Sequence, residues 1–137
     1  MNMFKKLILI CGFIFSIEGH ASNIKVNGDY ALNLISSFDY AGVTMDSSGK
    51  YDIYNTVCYF YSDYKAYNCL MVDLNRHSAV IQIISSDASR LMSSLENSGL
   101  RNGTDGSGNI FIKAIHISCE LKQQSQASCN LTDSDPQ

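Results

Sequence analysis

The stretch Asp29-Tyr-Ala-Leu-Asn-Leu-Ile-Ser-Ser-Phe-Asp-Tyr-Ala-Gly-Val43 decides how the rest of the chain reads. A second stretch, 57 residues later, follows its pattern: Ser86-Asp-Ala-Ser-Arg-Leu-Met-Ser-Ser-Leu-Glu-Asn-Ser-Gly-Leu100. Ala31/Ala88, Leu34/Leu91, Ser36/Ser93, Ser37/Ser94 and Gly42/Gly99 are identical, five of 15 positions. Ordinary residue usage gives about one. Ile35/Met92, Phe38/Leu95, Asp39/Glu96 and Val43/Leu100 match in kind. In each stretch the apolar residues fall at i, i+3, i+4 and i+7, one face of a helix. They are Ala31, Leu34, Ile35 and Phe38 in the first, and Ala88, Leu91, Met92 and Leu95 in the second. Asp29 is the expected N-cap of one helix and Ser85, Ser86 or Asp87 of the other, since a short polar side chain can accept from the free amides. Gly42 and Gly99 are the expected stops, because glycine tolerates the left-handed conformation there.

Working outward, Ile24-Lys25-Val26 alternates like a short strand, and Ala79 to Ile84 is an apolar, β-branched run that reads as its buried counterpart. Asp52–Tyr61 and Tyr67–Leu74 read as a hairpin turning at Ser62–Lys65, and Ile110–Lys122 and Ala127–Thr132 as another. Asp46-Ser-Ser-Gly49 and Asn75-Arg-His-Ser78 are turns, and Asn102 to Asn109, with three glycines, reads as a flexible loop. Allowing four inserted residues, Cys58 aligns with Cys119, and one deletion later Cys69 aligns with Cys129. The expected fold is therefore α+β: a tandem duplicated β-α-β-β repeat, about 23–78 and 79–133, in one domain spanning 22–137. Two copies side by side give a roughly six-stranded, mainly antiparallel sheet with both helices on one face.

The first 21 residues read as a secretory leader. Lys5 and Lys6 precede an apolar run from Leu7 to Ile17, too short to span a bilayer, and Gly19-His20-Ala21 suits cleavage after Ala21. Losing Lys5, Lys6 and Glu18 from 10 basic and 13 acidic residues leaves 8 and 12. No basic stripe remains, so nucleic acid is not an expected partner. No second long apolar run follows, so no membrane insertion is expected after cleavage. Four cysteines behind a leader read as two disulfides formed in the periplasm or outside the cell. Three pairings are possible, and the duplication favours Cys58–Cys69 and Cys119–Cys129. The spacings fit neither a C-x-x-C redox site nor a zinc pattern.

The two hairpins differ in their faces. In the second, period-2 alternation turns Ile115, Ile117, Cys119, Leu121, Cys129 and Leu131 inward. His116, Ser118, Glu120, Lys122, Ser128, Asn130 and Thr132 turn to water. In the first, Tyr54, Thr56, Cys58, Phe60, Tyr67 and Met71 take the inward positions. The outward ones are Val57, Tyr59, Tyr61, Asn68, Leu70 and Val72, apolar and aromatic where the second hairpin is polar. That face is the expected protein-binding site, since tyrosine offers a large area with few rotatable bonds. The competing reading is that the long loop or the tail covers it.

No motif implies catalysis, a metal or a cofactor. His77 and His116 could form an acid–base pair with Lys122 in a small hydrolase, but two surface histidines are usually no more than that. Asn102–Asn109 lacks the acidic alternation of a calcium loop. Built from two helix-plus-sheet units with disulfides and an aromatic sheet face, the organisation is similar to that of the β-lactamase inhibitor proteins. This chain has shorter units and no tryptophan. The resemblance implies a secreted protein that binds an enzyme through its sheet, without implying which one. The expected function is a non-enzymatic secreted or periplasmic binding protein, an inhibitor or immunity protein. An accessory subunit of the envelope or of a secretion system is the alternative, and a ribonuclease-like hydrolase a third reading.

Overall fold

The computed structural model describes residues 22–123 and 126–133. The leader expected over 1–21 and the tail around Pro136 lie outside the described residues. The chain runs β1 (Ser22–Asn27), α1 (Gly28–Ala41), β2 (Lys50–Tyr61) and β3 (Ala66–Asp73). After a 3-10 turn at Leu74–Arg76 come β4 (Ala79–Ile84), α2 (Ser85–Asn97), β5 (Asn102–Thr104), β6 (Ile110–Leu121) and β7 (Ala127–Asp133). Among the described residues it is an α+β fold with two α-helices and one open seven-stranded sheet, and every pairing is antiparallel.

Both helices bury the faces that their spacing predicts. Ala31, Leu34, Ile35 and Phe38 of α1 and Ala88, Leu91, Met92 and Leu95 of α2 all lie in one core. The caps differ from expectation. Asn27 and Ile84 are the N-caps, and neither side chain accepts a hydrogen bond from the helix amides. Asp29 and Asp87 instead sit in the first turns, where a carboxylate still meets the positive end of the helix dipole. Gly42 closes α1 in the left-handed conformation, whereas Ser98 closes α2 and Gly99 follows it.

The strand order is β1-β7-β6-β2-β3-β4, with β5 on the free part of the β6 edge. Side-by-side copies would have paired β1 with β2 or β3. Instead β1 pairs with β7 and β4 with β3, so each leading strand extends the hairpin of the other half of the chain. The helices follow their strands. Cys129 Sγ lies 3.9 Å from the Ala31 carbonyl of α1, and Cys69 Sγ lies 3.5 Å from the Ala88 carbonyl of α2. The disulfides Cys58–Cys69 and Cys119–Cys129 are both formed, each across a hairpin pair and each beneath the helix of the opposite half. Where the helices meet, Ser37 Oγ and Ser94 Oγ are 2.9 Å apart and buried. Ser37 gives its proton to the Asn33 carbonyl at 3.0 Å, so Ser94 is the donor to Ser37.

The segment 102–109 is not the flexible loop that its glycines suggest. Asn102–Thr104 pairs with Ile110–Ile112 as β5, and Gly103 lies opposite Phe111. A Cβ at Gly103 would stand 2.9 Å from the Phe111 ring, which explains why glycine serves there. The turn that follows repeats the one before β2. Asp46 Oδ1 accepts from the Ser48 and Lys50 amides at 2.8 and 3.0 Å. Asp105 Oδ1 accepts from the Ser107 and Asn109 amides at 2.9 Å each. Gly49 and Gly108 hold the same positive φ, 87° and 85°. Asp73, fully buried, has no equivalent signal in the sequence. It accepts from the Thr44 and Asn75 amides and ties the 43–50 segment to the end of β3.

Candidate protein-contact face

β2 and β6 form the spine of the sheet, paired from Lys50↔Glu120 to Phe60↔Ile110 without a break in register. Yet both strands skip one residue in their alternation at the middle. β2 buries Tyr51 and Ile53, then Thr56 and Cys58; β6 buries Ile112 and Ala114, then Ile117 and Cys119. Asn55, at φ 53°, is the extra residue of a bulge against β3, between the pairs Tyr54↔Val72 and Val57↔Leu70. Two inward assignments are corrected by this skip. Tyr54 and Ile115 do not face the core; they are 36% and 39% exposed. A bulge shifts every residue on one side of it to the other face, and period-2 counting cannot anticipate it.

The outer face can be read across the strands in rows. The first row runs Ile84, Asn68, Tyr59, Phe111, Gly103, and the second Gln82, Leu70, Val57, Lys113. The third is Val80, Val72, Tyr54, His116, Thr132, Asn23. The last two are Asp52, Ser118, Asn130, Lys25 and then Lys50, Glu120, Ser128, Asn27. The upper rows are apolar and aromatic and the lower rows polar, with the boundary at the skip.

Val57, Tyr59, Tyr61, Asn68, Leu70 and Val72 all lie in the upper part, paired as Val57↔Leu70, Tyr59↔Asn68 and Tyr54↔Val72. Leu70 is 41% exposed, and the other five are half-buried. The Tyr59 and Tyr61 rings stack at 5.3 Å, and Phe111 tilts against Tyr59 at 5.6 Å. Sequence reasoning missed three further members of the patch. β4 is an edge strand, not a buried one, and presents Val80 (70% exposed) and Ile84 (59%). Phe111 reaches the same face because the skip turns it outward. The β5 segment does not lie across this face; Asn102 donates to Glu96 of α2, on the helix side.

At the boundary, His116 Nε2 and Asp52 Oδ1 lie 2.5 Å apart, and the Tyr54 ring stacks on the imidazole at 4.2 Å. The histidine is thus held by a carboxylate and a ring. His77 is not brought to it; His77 ends the 3-10 turn before β4, with β3 and β2 between β4 and β6. Lys122 lies just beyond the end of β6, past Glu120, while His116 sits in the middle of that strand. Among the described residues no three His, Cys, Asp or Glu side chains are placed to hold a metal ion, and no helix is long and apolar enough to cross a membrane.

On the helix side, burial pushes the Tyr51 hydroxyl well above its usual range, reinforced by its 2.6 Å hydrogen bond to Asp39. The Asp46 carboxyl is held below the usual carboxylate range, first by the Ser48 hydroxyl and then by the Lys50 amide. Asp105 is held low chiefly by the Asn109 amide. These groups fix turns and a helix end, and none lies on the outer face rows.

Compared with family models, curated proteins and solved structures, the chain matches none.

Proposed function

We propose that this is a non-enzymatic binding protein of the periplasm or extracellular space that inhibits or neutralises another protein. The observation that carries the reading is the outer sheet face, where a group of mainly aliphatic and aromatic side chains, with Asn68 and Gln82 among them, occupies positions that water normally claims. Val57, Tyr59, Tyr61, Asn68, Leu70 and Val72 form its centre, with Phe111, Val80 and Ile84 around them. Tyrosine rings with a few amides suit a protein surface, because they offer a large contact area with few rotatable bonds and a polar tip. Two disulfides are compatible with an oxidising compartment, and the leader expected over 1–21 gives the route.

The fold is proposed to have arisen by tandem duplication. The support is the pairing of Ser37 with Ser94, the matched aspartate turns, the two crossed disulfide–helix contacts and a strand order that reads alike from either edge.

The test is affinity capture from the host's envelope and secreted fractions. The oxidised chain from Ser22 is compared with Tyr59→Ser/Tyr61→Ser, after equal thermal stability has been checked. The reading expects one protein retained by the first bait and lost with the second. Equal retention by both would remove the face from the account. The Asp52–His116 pair favours a second reading, a small hydrolase. That reading requires turnover of RNA or an ester that His116→Ala abolishes, whereas a binding protein has none to lose.

A further inference from the structure

Among the described residues β1 and β4 end the strand order, and the three-residue β5 is a short further edge beside β6. Proteins usually guard such edges with charge, proline or a bulge, since an unpaired row of amides and carbonyls invites another strand. β1 carries Lys25 on its outer face, between Asn23 and Asn27. β4, Ala79-Val-Ile-Gln-Ile-Ile84, has no charge, proline or glycine, and its register against β3 is continuous over all six residues. Nothing in its sequence resists a neighbour.

We propose that β4 pairs antiparallel with β4 of a second copy of this chain, joining two sheets into one across a two-fold axis at Gln82. The strand itself selects this occupant. In a flat antiparallel pair, residues opposite each other must share a face, so only registers that match even with even positions are allowed. Centring on Gln82 sets Val80 against Ile84 of the other copy and Gln82 against Gln82 on the outer face. It sets Ile81 against Ile83 on the helix side. Each side chain then meets its own kind, which is what stabilises cross-strand pairs. The registers centred on Ile81 or Ile83 instead oppose Gln82 to Val80 or to Ile84.

The strand ends agree in charge. Arg76 and His77 precede β4 and Asp87 follows it, so antiparallel pairing brings the basic end of one copy to the acidic end of the other. The apolar outer face also gains continuity, because Val80 and Ile84 of the two copies close the gap between two Val72–Leu70–Asn68 columns. The inference does not depend on the identity of any other partner. The contact is strand-sized, well under the ~1,600 Å² of a standard interface, so a dissociation constant on the order of 10–100 µM is expected.

The experiment is sedimentation equilibrium of the oxidised chain from about 1 to 500 µM, bracketing that range. It is run for the wild type, Gln82→Lys, Gln82→Glu and an equimolar mixture of the two variants. Gln82 is exposed, so neither substitution should perturb the fold, and unchanged unfolding midpoints confirm that. The wild type should dimerise, and each variant alone should weaken dimerisation at least about fivefold, as like charges meet across the axis. The mixture should recover it. Three results would each overturn the proposal: a wild type monomeric throughout, variants that dimerise like the wild type, or a mixture that fails to recover. A dimer that survives both Gln82 variants but is lost in Tyr59→Ser/Tyr61→Ser would also overturn it, and would assign self-association to the sheet face instead.

Discussion

The two hairpins of this sheet are nearly interchangeable on the side facing the helices and opposite in character on the side facing away. Inward, each carries a cross-strand disulfide under a helix that buries four matched residues. Outward, Val57↔Leu70 and Tyr59↔Asn68 on the first stand where the second has Ser118↔Asn130 and Glu120↔Ser128. Packing constrains both inner faces alike, because a core tolerates little change in volume. The outer faces carry no such constraint, so a difference confined to them points to what the surface does. The inner likeness is not complete. Thr56 is buried with its Oγ1 unpartnered, whereas Ile117, its counterpart two residues before the other cysteine, is buried and apolar. The first hairpin is therefore more polar inside and more apolar outside than the second.

The largest expected effects test the likeness of the inner faces. The Cys58–Cys69 and Cys119–Cys129 bridges, removed by Cys58→Ala/Cys69→Ala and Cys119→Ala/Cys129→Ala, close loops of similar length, with separations of 11 and 10 residues. Each pair of substitutions should cost about 2–5 kcal/mol in urea unfolding. A markedly larger cost on one side would break the comparison. At the helix contact, Ser37→Ala strands the Ser94 hydroxyl and should cost about 1–3 kcal/mol, the penalty for a buried unsatisfied group. Ser94→Ala leaves Ser37 bonded to Asn33 and should cost less than Ser37→Ala.

The Thr56 asymmetry predicts opposite signs. Thr56→Val removes an unpartnered hydroxyl with little change of shape and should stabilise by up to about 1 kcal/mol. Ile117→Thr should destabilise by about 1–3 kcal/mol. The smallest effects concern pH. Asp46 and Asp105 are both held low, so their contribution is present above the unfolded value of about 3.9 and lost as pH falls through the lower folded value. Carboxyl chemical shifts followed through acid titration should move together for the two turns. Tyr51 works at the other extreme. Raised in the fold, it supports stability below pH about 10 and loses that support as pH rises further.

Much of the inner architecture was legible in the sequence, because it depends on local periodicity. The spacing of Ala31, Leu34, Ile35 and Phe38 defines a helix face wherever the helix lies, and two hairpins with a cysteine on each arm leave little choice of disulfides. What escaped was non-local. That β1 extends the opposite hairpin depends on pairings from Asn27↔Ser128 to Ser22↔Asp133, 101 to 111 residues apart along the chain, which no window reports. The skip at Tyr54–Asn55 and Ile115–His116 is shared by two paired strands, so register is kept while the faces exchange. Strict alternation consequently placed Tyr54 and Ile115 inside. β4 read as buried because five of its six residues are aliphatic, yet an edge strand of that composition differs from a central one only in having no second neighbour. Phe111 joined the outer apolar face through the same skip, and no local signal announced it.

The outer-face contrast can be tested most directly by placing a photo-crosslinking residue at Leu70 in one variant and at Asn130, its counterpart, in another. Both are irradiated in the intact host and resolved by mass. The account predicts a discrete heterologous adduct from position 70 and none from position 130. Adducts of equal yield from both positions, or from 130 alone, would contradict it.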